Sequence, residues 1–162
     1  MADRGALMLG RSEQSLTGVR RLIAGITLGG LAVSQAIVGV WALLVPGSFY
    51  RSFPAAGHPW VALLPPYNEH LVRDVGALSL SIAVLLTVAA VVQTLSLIRV
   101  AVTAYAVYAI PHTVFHGLHL EGFPDIDAVA QMTGFATQLV AATLALLTTL
   151  PRAPRRPSPL NV

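Results

Sequence analysis

Residues 22–45 read LIAGITLGGLAVSQAIVGVWALLV, an apolar run without a single charge, closed by Pro46-Gly47. The hydrocarbon core of a bilayer is about 30 Å thick, and an α-helix rising about 1.5 Å per residue crosses it in roughly 20 residues. Residues 22–45 are therefore long enough to span. Working outward, three more stretches have the same character. The second covers 71–98, charge-free from Val75 to Ile98; the third covers 100–120 and contains Pro111; the fourth covers 128–150 and stops at Pro151. Backbone polar groups in lipid must bond within the protein, and apolar runs of this length do so as helices. The expected fold is all-α, a four-helix transmembrane bundle of up-down topology.

The composition of the whole chain agrees. Of 162 residues, 55% are hydrophobic and 10% charged, where a soluble domain carries about 25%. Only Arg51, Glu69, Arg73, Asp74 and Arg99 are charged between residues 22 and 120. The middle of the chain cannot form a water-facing surface. That excludes a soluble enzyme, a disordered regulator and a nucleic-acid binder. With no cysteine, disulfides, thiolate metal sites and thiol catalysis are excluded as well.

All ten basic residues are arginine. Four spans place Arg4, Arg11, Arg20, Arg21, Arg99, Arg152, Arg155 and Arg156 on one side of the membrane, and only Arg51 and Arg73 on the other. The positive-inside rule then predicts that both termini are cytoplasmic, and the expected location is the cell (inner) membrane, as a multi-pass component. Residues 1–21 read as a cytoplasmic arm leading into a retained signal-anchor helix. Residues 151–162 read as a disordered, basic, Pro-rich tail able to touch anionic lipid. The longest connection, Pro46 to Pro66, holds Phe49, Tyr50, Phe53 and Trp60. Such rings favour the headgroup zone, so this loop is expected along the outer interface, first as an ordinary anchoring aromatic belt, with capping of the bundle as the alternative.

Small residues recur at helical spacing in the first span (Gly25, Gly29, Ala32, Ala36, Gly39) and in the second (Gly76, Ser79, Ala83, Ala90). Stripes of this kind let helix backbones approach closely.

The chemistry gathers at one end. All five histidines and five of the seven acids fall on the half away from the termini, and ionisable groups at membrane depth usually mark a site or a polar network. The third span reads Pro111-His112-Thr-Val-Phe-His116-Gly-Leu-His119, with the imidazoles on one helix face that continues through Tyr108 and Tyr105. Pro111 removes a backbone bond beside them. The second span opens Tyr67-Asn68-Glu69-His70-Leu-Val-Arg73-Asp74, in which Glu69–Arg73 and His70–Asp74 are i, i+4 pairs. Asp127 and Gln131 enter from the fourth span at similar depth.

Three readings follow. Glu69, His70, His112 and His116 could ligate a transition metal, or His70 with His112 or His116 a haem iron. Alternatively Glu69, His70, Arg73, Asp74, His112, His116 and Gln131 line a pocket for a small or lipid-like molecule, with Glu69, His70 or His112 moving protons. In the third reading the ionisable residues only satisfy one another at the bundle mouth. Histidine-box oxygenases need about eight histidines, more than this chain has. Walker loops, nucleophile elbows and HExxH are absent. Gln35, beside Ser34, and Gln138 read as interhelical hydrogen-bond formers.

The runs PYNEHLVRDVGA (66–77) and IPHTVFHGLHL (110–120) are similar to runs in small four-span bacterial membrane proteins of the DoxX-like group. The resemblance covers about residues 20–150. It implies a four-helix membrane bundle and, because some DoxX-like members are linked to membrane redox systems, a redox-linked role; it assigns no catalytic residue. The leading expectation is a small-ligand or cofactor site in the outer half of the bundle. The alternative is an accessory subunit of a larger membrane complex or homo-oligomer without chemistry of its own.

Overall fold

The computed structural model describes residues 15–64 and 66–151. The N-terminal arm before Ser15 and the basic tail from Arg152 lie outside the described residues. The elements in chain order are α1 (Gly18–Leu44), α2 (Pro46–Ser52), β1 (Pro54–Ala55), β2 (His58–Pro59), α3 (Glu69–Val92), α4 (Leu95–Leu118) and α5 (Asp125–Leu147). The four long helices have the length and apolarity to cross a membrane, and the chain is a multi-pass membrane protein built as a four-helix bundle. Their outward faces carry side chains such as Val33 and Ile37 on α1, Leu78 and Val91 on α3, and Val107 on α4, all exposed. Apolar residues turned outward all round a bundle are what lipid requires.

For orientation, the end holding the start of α1, the α3–α4 turn and the finish of α5 is called the terminal end, and the opposite one the loop end. The helices pack differently at the two. Towards the terminal end a single core joins all four, with Leu28 and Leu31 from α1, Leu86 and Ala89 from α3, Ile98 and Val102 from α4, and Ala142 and Ala145 from α5. At the loop end a separate small core of Ala42, Phe49 and Val72, backed by Val38, Trp41, Phe53 and Val61, draws only on α1, α3 and the segment between them. The α4–α5 pair contributes nothing to it, so the bundle is closed at one end and split at the other.

The α1–α3 half stays together because the small-residue stripes meet. A Cβ added at Gly76 would lie 2.5 Å from the Leu43 nitrogen, and one at Gly39 would lie 2.7 Å from Leu80 Cγ and 2.9 Å from its nitrogen. Only glycine permits backbones this near. Gly29, in the same stripe, has nothing within 4 Å.

The second span was expected to run to Ile98, but the chain turns earlier. Gln93 takes a left-handed conformation, φ 57°, and ends α3 at Val92. Its side chain supports that geometry by donating to the carbonyls of Ala90 (2.8 Å) and Arg21 (3.1 Å), while its own carbonyl accepts from Leu16 N–H (3.1 Å). Arg99 thus lies in α4, not in the turn. Its guanidinium donates to the Thr149 carbonyl (2.8 Å) and hydroxyl (3.1 Å), and Arg20 donates to the carbonyl of Thr148 (3.3 Å) and to that of Leu150. Both arginines satisfy carbonyls that the end of α5 leaves without helical partners.

Candidate functional site

Where the two helix pairs separate they border a partly open cavity of about 340 Å³. Ser34, Gln35 and Val38 of α1 form one wall and Leu71, Val72 and Val75 of α3 another. Facing them are Tyr105, Tyr108, His112 and His116 of α4, with Gln131, Phe135 and Gln138 of α5. The roof is the segment between α1 and α3, through Phe49, Tyr50, Phe53 and Trp60. Counted back from Leu118, Tyr105 lies about 20 Å below the loop end of α4, so the cavity reaches well into the bundle. Among the described residues, no Arg, Asp or Glu lines it.

The α4 wall follows from its sequence. Ile98, Ala101, Val102, Tyr105 and Ala109 are the buried face of that helix, and at about 100° per residue the same face continues through His112 and His116. His112 stacks on Tyr108 (ring centroids 5.1 Å, interplanar angle 24°) and meets Phe135 edge-on at 5.2 Å. Its ring makes no hydrogen bond among the described residues. His116 is buried, and its Nδ1–H donates to the Gln131 carboxamide oxygen at 3.1 Å, which leaves the Nε2 lone pair free. Deeper, the Tyr105 hydroxyl donates to the Gln138 oxygen at 2.6 Å. Gln35 is 3% exposed and makes no hydrogen bond, its buried oxygen standing without a partner.

The roof is held at several points. Trp41, Phe49, Phe53 and Trp60 pack edge to face or tilted, with centroids 4.7–6.4 Å apart. Gly57, at φ +88°, turns the chain between β1 and β2. Beside that turn, His58 Nδ1 reaches Asp127 Oδ1 at 2.7 Å, which ties the roof to the first turn of α5. The Trp60 indole N–H adds electrostatic support to Asp127 without closing to hydrogen-bond geometry. The aromatic loop therefore roofs the cavity, a role that its sequence offered only as the alternative to an ordinary aromatic belt.

No protein family, curated protein or solved structure matches the chain. The DoxX-like likeness accordingly rests on residues 66–77 and 110–120 alone.

Of the residues singled out from sequence, the structure gathers His112, His116 and Gln131. Glu69, His70, Arg73 and Asp74 do not join them. The buried face of α3 runs through Val72, Gly76, Ser79 and Ala83, and His70 and Asp74 lie on the far side of the helix, paired with each other at 3.3 Å and 88% and 54% exposed. Glu69 and Arg73 pair at 2.8 Å on the flank, where Arg73 also donates to the Leu43 carbonyl and so caps the end of α1. The metal set Glu69, His70, His112 and His116 is not assembled, and among the described residues no three His, Asp or Glu side chains stand close enough to hold an ion. A haem between His70 and an α4 histidine is likewise not supported, because His70 faces away. His112 and His116 are neighbours on one helix, 4.5 Å between centroids, and cannot approach an iron from opposite faces. His119 is exposed, stacking on Phe115 at 4.1 Å and donating to its carbonyl.

Sequence reasoning missed Gln35 as a wall residue, Phe135, and the His58–Asp127 tie. Phe135 was legible, since it follows Gln131 by one helical turn. The tie spans 69 residues of chain and has no local signature.

Proposed function

We propose that this protein is a binding protein for a small, uncharged, lipid-like molecule, held in the cavity between the α1–α3 and α4–α5 pairs beneath the aromatic roof. The observation that carries the reading is the character of the walls: aromatic and aliphatic faces interrupted by a few hydrogen-bonding groups, with no Arg, Asp or Glu among the described residues that line them. Ligand pockets have this composition. Carboxylate and phosphate ligands would enter without a counter-charge in a low-dielectric site, at high cost. The arginine distribution, with Arg20 and Arg99 at the terminal end and Arg73 at the loop end, favours cytoplasmic termini and a cavity in the outer half of an inner membrane.

The roles of the wall residues follow. Tyr108, His112 and Phe135 form an aromatic wall on which a ligand ring can pack, and His116, oriented by Gln131, presents its Nε2 as an acceptor. Glu69, His70, Arg73 and Asp74 take no part.

Gly134 supplies the test. It lines the cavity, and a Cβ there meets nothing within 4 Å, so Gly134→Trp adds a bulky ring at a wall position where the first side-chain atom is free of contacts. Purified protein is extracted with organic solvent, and the neutral lipids retained per chain are quantified by mass spectrometry. A defined neutral amphiphile near one per chain in the unaltered protein, lost from Gly134→Trp, is expected. The same bulk lipid at the same level in both would refute the proposal.

A further inference from the structure

Gln35 is the carboxamide in the cavity walls that has no hydrogen-bond partner among the described residues. It lies about 14 Å below the Leu44 end of α1, is 3% exposed, and makes no hydrogen bond. The other buried amides facing the cavity are engaged, Gln131 by His116 and Gln138 by Tyr105. Ser79 and the Gln93 oxygen are also unpartnered, but neither residue lines the cavity; the Trp60 N–H, unpartnered in the roof, lies beside Asp127 and not in the deep wall. A buried carboxamide without a partner weakens the fold relative to a leucine of similar volume. A ligand group that bonded it would remove that penalty.

We infer that Gln35 reads the leading polar end of the ligand, and that the cavity takes an uncharged, ring-bearing amphiphile with a hydroxyl, or a comparable neutral hydrogen-bonding group, at the end that enters first. This rests on the binding function proposed above. The ring follows from the stacked Tyr108–His112 pair with Phe135 edge-on to it, which suits a planar guest better than a flexible chain. The lack of charge follows from walls without Arg, Asp or Glu among the described residues. The size follows from about 340 Å³, at the small end of ligand pockets, which run from roughly 300 to 1,000 Å³.

Three probes separate these points: butyl 4-hydroxybenzoate, butyl benzoate without the hydroxyl, and 4-hydroxybenzoate as the anion. Each is titrated against the full chain in lipid nanodiscs, following tryptophan fluorescence, since Trp60 is in the roof, with empty nanodiscs as the partition control. The hydroxy ester is expected to bind about tenfold more tightly than butyl benzoate, and the anion to show no saturable binding. In Gln35→Leu the two esters become equal, while the melting temperature of the empty protein stays the same or rises. Equal binding of both esters to the unaltered protein, or discrimination that survives Gln35→Leu, overturns the role of Gln35 and leaves the cavity as a binding site. Binding of the anion as tight as that of the hydroxy ester overturns the uncharged class. Failure of both esters to bind the unaltered protein overturns the proposed function itself.

Discussion

Two polar runs at the loop end resemble each other in sequence and differ in what they face. Glu69-His70-Leu71-Val72-Arg73-Asp74 opens α3, and His112-Thr113-Val114-Phe115-His116 approaches the finish of α4. Each sets ionisable groups four residues apart. His70 is 88% exposed at its side chain, whereas His116 is buried against Gln131 and Phe135. The difference lies in the remainder of each helix. On α4 the histidines extend the row of Tyr105 and Ala109 that already faces the core. On α3 the row facing the core is Val72, Gly76, Ser79 and Ala83, about half a turn from His70 and Asp74. Spacing tells which residues share a face; the small-residue stripe further along tells which way that face turns.

The comparison can be broken at its hinge. Gly76 fixes the rotation of α3 against α1, and a methyl group there would sit 2.5 Å from the Leu43 nitrogen. Gly76→Ala should cost at least about 3 kcal/mol, the upper range for overpacking, because rigid backbone and not a movable side chain is struck. Thermal unfolding in detergent measures it. At Gly29, in the matching stripe of α1, the same change meets open space and should leave the melting temperature nearly unchanged.

A smaller effect sharpens the inward run. His116→Leu leaves the Gln131 oxygen buried without its donor, a loss of about 1–3 kcal/mol. The double variant His116→Leu with Gln131→Leu should recover most of it. If the double variant is as unstable as the sum of the single ones, the two side chains are not partners.

The outward run responds least. Arg73→Ala removes the donor to the Leu43 carbonyl and should cost about 1 kcal/mol. His70→Ala removes one member of an exposed pair and should stay within about 0.5 kcal/mol. A loss for His70→Ala as large as that for His116→Leu would mean that α3 is turned inward.

The sequence made the architecture plain because lipid imposes a length and a polarity that no other environment does: four apolar runs, each near 20 residues, leave few alternatives. The boundary at Gln93 was not legible, because a left-handed glutamine within an apolar run is held by contacts to Arg21 and Leu16 from far along the chain. Half of the candidate site was readable. His112 and His116 share the face of Tyr105 and Tyr108, and Gln131 lies nearly two turns into α5. The four α3 residues were assigned to the same site by their level along the membrane normal and by the adjacency of the second and third spans, without regard to which way the α3 face turns. Continuing the Gly76–Ser79–Ala83 row back to the start of the helix would have placed His70 and Asp74 outside. Gln35 was read as a helix-to-helix hydrogen bond, which in the fold it does not make.

The chain contains no cysteine, so single replacements report exposure without background. The most direct test of the account compares His70→Cys with His116→Cys in nanodiscs, where both membrane faces are accessible, using a charged maleimide and a small neutral one. His70→Cys should react rapidly with both reagents. His116→Cys should resist the charged reagent, react with the neutral one, and be protected by butyl 4-hydroxybenzoate. Equal, rapid labelling of both positions by the charged maleimide, with no protection by the ester, would contradict the assignment of the α4 histidines to a binding cavity for an uncharged ligand.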